Sequence, residues 1–277
     1  MDKSSFGSYA FGDFASNEAE LARLRAQATT AWALEKSRIL GAGLTPGMKV
    51  LDLACGPGFI SRLIAAELGP EGSVLGIDLN DRLLEIAQET AADWNASAKE
   101  PRAGLSFKKD DVYDLGLAEN SVDFVYARFL FQHLERPLDA LAQIRRVLKP
   151  GGKFIVADAD DALFSLYPEP PALKPLIETA ARAQRRRGGD RQVGRKLPYY
   201  LKRAGFTDVA ADIVVVSADD IGLEEFLAVT TRFKIEWLPE AERKEAREML
   251  DAIGRNAANA PLHAMTGVYA VSGAAPA

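Results

Sequence analysis

Residues 50–59, VLDLACGPGF, followed by Gly76-Ile77-Asp78-Leu79, hold the residue types most able to bind a ligand. Residues 50–54 are apolar apart from one acid and read as a buried strand. Cys55-Gly56-Pro57-Gly58 then breaks the strand, and helical periodicity resumes over Phe59–Leu68, with Phe59, Leu63, Ala66 and Leu68 as its apolar positions. A strand, a glycine turn and a helix let a backbone approach a ligand closely, because glycine carries no Cβ. The helix start adds free N–H groups and a positive partial charge. A second strand over residues 73–77 ends at Asp78, twenty residues beyond Gly58. An acid at that strand tip can accept hydrogen bonds from two ribose hydroxyls, so the ligand carries a nucleoside. At this point it is either a dinucleotide or a methyl donor.

The dinucleotide fingerprint asks for G-x-G-x-x-G, and here Gly56-x-Gly58-x-x is followed by Ser61. The spacing from Asp52 through Gly56 and Gly58 instead resembles motif I of the class I S-adenosylmethionine-dependent methyltransferases, with Ala54 in place of the first glycine. Three later stretches are similar to the same family in order. They are FKKDDVYDLGL (107–117) at the end of a third strand, SVDFVYARFLFQHL (121–134) as a fourth strand and helix start, and LKPGGK (148–153) leading into a strand over 154–157. A helix stops before Pro150, the glycines turn the chain, and a buried strand begins.

The resemblance implies a Rossmann-like α/β fold with a seven-stranded, mostly parallel sheet, helices on both faces and helical cap insertions. It implies S-adenosyl-L-methionine as cofactor and S-adenosyl-L-homocysteine as product. Asp78 would bind ribose with Leu79 beside it, and Asp111 the adenine amino group, with the Val112 N–H facing the ring. Backbone at Ala54, Gly56 and Arg128 would hold the methionyl part, with Gly58 and Phe129 flanking it and Asp52 supporting the α-ammonium. The segment before the first strand would close over the methionine end, where the Tyr9 hydroxyl and Gln27 amide suit an α-carboxylate.

The elements that position these groups extend beyond the motifs. Residues 18–40 read as an amphipathic helix with Leu21, Leu24, Ala28, Trp32 and Ile39 on one face. This predicts a helical lid segment over residues 1–46 and a methyltransferase domain over 47–277. Residues 209–216 and 268–272 read as the last two strands. Between them, residues 218–233 and 239–257 read as two helices, the second opened by Pro239. Insertions at about 158–195 and 218–260 flank carboxyl ends of strands, where ligands sit in open α/β sheets, and are expected to cap an acceptor substrate.

Methyl transfer from a sulfonium needs a general base only when the nucleophile carries a proton. His133, Asp158 and Asp160 are the catalytic candidates, since all follow the fourth or fifth strand. His263 and Cys55 read as structural. With one cysteine and two histidines in 277 residues no metal site is expected. The net charge of −5 argues against nucleic acid as the main partner. The basic cluster Arg182, Arg185, Arg186, Arg187, Arg191, Arg195 and Lys196 reads as a solvated helix end, with Arg195 the member best placed for an anionic group. No apolar run spans a membrane and the first residues lack a signal-peptide pattern, so a cytoplasmic monomer or homodimer is expected. The leading function is methylation of O, N or C of a small metabolite. The alternatives are a protein or RNA methyltransferase, a cyclase-like or binding protein on the same fold, and a nicotinamide oxidoreductase.

Overall fold

The computed structural model describes residues 17–96, 99–257 and 261–277. Helix α1 (Asn17–Gly41) leads into β1 (Lys49–Leu53), α2 (Phe59–Leu68), β2 (Ser73–Asp78), α3 (Asp81–Ala96) and β3 (Gly104–Lys109). Then follow β4 (Val122–Arg128), α4 (Pro137–Val147), β5 (Leu148–Ala159), β6 (Ser165–Tyr167), α5 (Leu173–Arg185), α6 (Leu197–Arg203) and β7 (Thr207–Ser217). The chain ends with α7 (Ala218–Ile221), α8 (Leu223–Thr230), α9 (Glu240–Ala257) and β8 (His263–Ala274).

Strands β1 to β5 run parallel in the order β3-β2-β1-β4-β5, and β8 joins β5 antiparallel. The other edge of β8 pairs with β7 along most of its length. These seven strands are the ones the resemblance implies. An eighth, β6, was not foreseen; it pairs its three residues with Met265, Ala264 and His263 of β8.

The central strands are covered on both faces, which is why they read as continuous apolar runs. Their side chains alternate between two cores. Val50, Phe124, Tyr126 and Ile155 pack with Ile64 and Leu68 of α2 on one face. Leu51, Leu53, Val125, Ala127, Phe154 and Val156 pack with Ile144 of α4 and Leu201 of α6 on the other. A third cluster belongs to the two insertions, where Leu166, Leu176, Phe226, Ile235 and Leu250 pack together beside the sheet.

Three predicted details change. The buried side of α2 is Ser61, Ile64, Ala65 and Leu68 rather than the face through Leu63 and Ala66. The stripe of α1 holds at Ala28 and Ile39, but Glu20, Gln27 and Glu35 are buried on it too. The predicted helix over 218–233 is broken into α7, α8 and a short 3-10 turn over Arg232–Trp237. Gly222 causes the first break, since at φ 84° it adopts a conformation that only glycine reaches without strain.

Candidate active site

The carboxyl ends of β1, β2, β4 and β5 meet α1 and the two insertions around a cavity of about 570 Å³. Its floor is the glycine turn. Ala54 (φ 54°) and Gly56 (φ 54°) both line it in left-handed conformations. A Cβ added at Gly56 would meet nothing within 4 Å, so the backbone there faces open cavity. Gly58 serves differently from the expectation and is absent from the lining. It caps α2 at φ 75°, and a Cβ on it would lie 2.5 Å from Cζ of Phe107. A Gly58→Ala substitution combines left-handed strain with overpacking and is expected to cost about 2–4 kcal/mol of stability, read from a urea titration.

Asp78 is fixed from both sides. Its Oδ2 accepts from the Gly56 N–H at 2.9 Å, tying the tip of β2 to the turn, and its Oδ1 accepts from the Asn80 N–H at 2.9 Å. Asn80 in turn starts α3, its Oδ1 accepting from the Leu83 N–H. Burial raises the Asp78 pKa, partly offset by these N–H donors. Asp52 lies beneath the turn and accepts from the Ser61 hydroxyl at 2.5 Å. Burial pushes its pKa up to about 7; the Ser61 bond opposes that rise and the neighbouring Asp78 charge adds to it. Ser61, the residue that spoils a dinucleotide fingerprint, is thus a fully buried partner of the motif's own acid.

Asp111 and Val112 line the cavity beyond Asp78, as does Leu79. Asp111 Oδ1 accepts from the Tyr113 N–H at 2.9 Å, closing a tight turn after β3. Arg128 and Phe129 reach the cavity from β4, and the Phe129 N–H bonds the Ala157 carbonyl. The Arg128 side chain is held by Glu35 of α1 at 3.2 Å and lies over the Phe129 ring. Glu35, which the sequence gave no reason to single out, also accepts from the buried Tyr126 hydroxyl. Gln27 lines the cavity, but its amide donates to the Val229 carbonyl of α8, so part of its capacity joins α1 to α8. Tyr9 lies outside the described residues.

The catalytic candidates separate. His133 sits on a 3-10 turn over Phe131–His133 and lines the cavity, with Gln184 Nε2 3.3 Å from its Nδ1. Burial, with Arg191 and Arg23 nearby, pushes its pKa down to about 3, which makes it a neutral ring and a weak base at neutral pH. Asp158 is not at the cavity. It is fully buried behind the wall and accepts from the Gln132 and Ala159 N–H groups, locking β5 to the turn after β4. Asp160 does line the cavity, yet both its oxygens take the Arg195 fork, at 2.5 and 2.8 Å. That pair also uses up Arg195, the member of the basic cluster reserved for an anion.

The structure adds a constellation that sequence reasoning missed. Arg191 places Nε and Nη2 on the two oxygens of Asp161, at 3.0 and 2.6 Å, and Nη1 on Oε1 of Gln132. Lys234, 1% exposed, donates to Asp161 Oδ1 at 3.0 Å. All of these residues line the cavity, with Phe164, Phe233 and Trp237 around them. The two cations overcome the burial of Asp161 and hold its carboxyl far below the usual range. Burial lowers the Lys234 pKa to about 8, the Asp161 charge opposing it. No spacing rule links Asp161 to Lys234, 73 positions away.

Residues 44–205, more than half of the chain, match the methyltransferase domain family model. An uncharacterized methyltransferase of Schizosaccharomyces pombe is 32% identical over 134 residues, covering 48% of each chain. A ubiquinone/menaquinone biosynthesis C-methyltransferase of Ectopseudomonas mendocina is 33% identical over 116 residues, 42% of this chain and 43% of that one. The chain thus spans about half the length of the curated relatives it matches. A methyltransferase of Aquifex aeolicus, titled S-adenosylmethionine-dependent, superposes with a TM-score of 0.50 at 23% identity, over 65% of this chain and 84% of that one, and so supports the fold. With a parallel sheet in this order, a glycine turn after β1 and an acid at the tip of β2, the chain belongs to the class I S-adenosylmethionine-dependent methyltransferases.

Proposed function

We propose that this protein transfers a methyl group from S-adenosylmethionine to a small-molecule acceptor enclosed between the sheet and the cap. One observation carries the reading: a single cavity of about 570 Å³ runs from Gly56, Asp78 and Asp111 to Phe164, Phe233 and Trp237 of the two insertions. That volume is in the range of small-molecule sites and is lined as such sites are, with apolar walls and a few convergent polar groups.

The residues fit the cofactor. The open backbone at Ala54 and Gly56 leaves room for the methionyl chain. Asp78 offers its remaining lone pairs to ribose, and Asp111 with the Val112 N–H suits the adenine edge. Asp52 and the backbone at Arg128 face the amino-acid end, and α1 forms the lid segment, held to the cap through Gln27. The bound cofactor supplies an electrophilic methyl carbon on a sulfonium; the chain supplies alignment and exclusion of water. Holding two reactants in line is worth about 7–11 kcal/mol of barrier.

In this reading His133 packs rather than transfers a proton, which its burial and its pKa lowered to about 3 support. A His133→Gln enzyme is expected to keep the shape of its kcat/KM profile between pH 5 and 9, because a ring with a pKa near 3 adds no limb there. Loss of an inflection in that range would restore His133 as a base. Among the described residues no group of three His, Cys, Asp or Glu side chains is placed to hold a metal, and no helix is long and apolar enough to cross a membrane. The apolar acceptor end, lined by Phe164, Phe233 and Trp237, favours a metabolite over a protein or RNA. Incubation with methyl-labelled cofactor and a panel of small acids, phenols and amines tests the reading. Label in a small product supports it; cofactor binding with no transfer to any acceptor favours a non-methylating relative.

A further inference from the structure

Charge does not balance at the acceptor end of the cavity. Arg128 is matched by Glu35, Arg23 by Glu20 and Arg195 by Asp160. Arg191 and Lys234, both buried, share the one carboxylate of Asp161, which leaves an excess positive charge. Asp158 stands behind this wall with its oxygens on the Gln132 and Ala159 N–H groups and not on either cation, and burial raises its pKa to about 7. The carboxylates of Asp52, Asp78 and Asp111 belong to the other end, at the tips of β1 and β2 and after β3.

The donors are unbalanced as well. Lys234 has three ammonium protons and, among the described residues, one acceptor, Asp161 Oδ1. The Phe164 ring lies 5.9 Å from its Nζ, and the Arg191 charge is close enough to act on it. A lysine is almost never fully buried without full pairing, and elsewhere on a cap its long chain would carry the charge out to water. Here it is kept in the cavity lining together with Phe164, Phe233 and Trp237, the last two rings packing edge-on at 5.3 Å.

We propose that the acceptor is a monoanion, a carboxylate on an apolar or aromatic body, and that Lys234, braced by Asp161 and Arg191, is the residue that holds the carboxylate. The inference rests on the methyltransferase reading of the cavity and names its substrate class. One excess positive charge matches one carboxylate, and the aromatic side chains supply the surface for the body. Arg191, with Nη1 on Gln132 and two nitrogens on Asp161, fixes Asp161 beside Lys234.

The test uses the full chain saturated with S-adenosylhomocysteine at pH 6.5. Phenylacetate and 3-phenylpropanoate are compared with phenylacetamide and 3-phenylpropanamide by calorimetry and melting temperature. The carboxylates are expected to bind at least about 10-fold more tightly than their amides, the size of one charged hydrogen bond in a dry site. Lys234→Met, which keeps the volume and removes the charge, is expected to abolish that preference while S-adenosylhomocysteine still raises the melting temperature. Equal binding of acids and amides, or a preference that survives Lys234→Met, overturns the proposal. Failure of S-adenosylhomocysteine to stabilise the wild-type chain counts instead against the cofactor reading beneath it.

Discussion

Asp161→Ala is expected to lower the unfolding free energy by about 3–5 kcal/mol, read as a lower urea midpoint at unchanged slope. Asp161 is the only carboxylate paired with Arg191 and Lys234 among the described residues, and all three side chains are under 10% exposed. Removing it strands two cations where water cannot solvate them, and that penalty exceeds what a surface pair would lose. The damage spreads, because Arg191 also holds Gln132, whose N–H anchors Asp158 at the end of β5. Acid should mimic the mutation only far below neutrality. Asp161 has a folded-state pKa depressed below its unfolded value, so its contribution is complete above the ordinary carboxylate range and is lost as pH falls through the lower folded value. Lys234→Met is the informative contrast. It removes a buried charge and keeps the volume, so it is expected to be neutral or stabilising. Equal losses from the two substitutions would mean that packing, not charge, holds the cap.

Asp78→Ala is expected to weaken S-adenosylmethionine binding about 10- to 100-fold, the equivalent of the ~1.5–3 kcal/mol carried by hydrogen bonds to a charged group. Calorimetry on the folded variant reads it directly. The carboxylate is aimed by two backbone donors, Gly56 and Asn80, so the loss has two parts. The acceptor for the ribose disappears, and the turn that carries Gly56 loses its tie to β2. Unchanged affinity would remove Asp78 from the cofactor site.

Much of the parallel half of the sheet could be read from the chain. Buried strands announce themselves as short apolar runs, and the turn residues Gly56, Pro57 and Gly58 mark where β1 stops. The bounds of α2 follow from the same punctuation, because a left-handed glycine starts it and Gly69 ends it. Which face of α2 is buried did not follow. That depends on how the helix lies on the sheet, and it brought the polar Ser61 inside against Asp52. The cap was legible as helical insertions but not in its breaks, since a glycine in a helical pattern is either tolerated or used, and packing decides. Strand β6 gave no signal, being three residues long and paired only through β8.

The site divides in the same way. Local sequence alone determined the turn and the acid at the tip of β2, because close backbone approach demands glycine and the rise of two short elements fixes where Asp78 falls. Those features named the family and its cofactor. The acceptor end was decided by tertiary structure. Asp158, Asp160 and Asp161 are near neighbours in sequence, and nothing local distinguishes them. Folding sends one behind the wall to backbone N–H groups, one to Arg195, and one to Arg191 and Lys234. A carboxylate's chemistry is set by burial and by the charges around it. Here those charges come from segments up to 73 residues away, so only the folded chain assigns each acid its role.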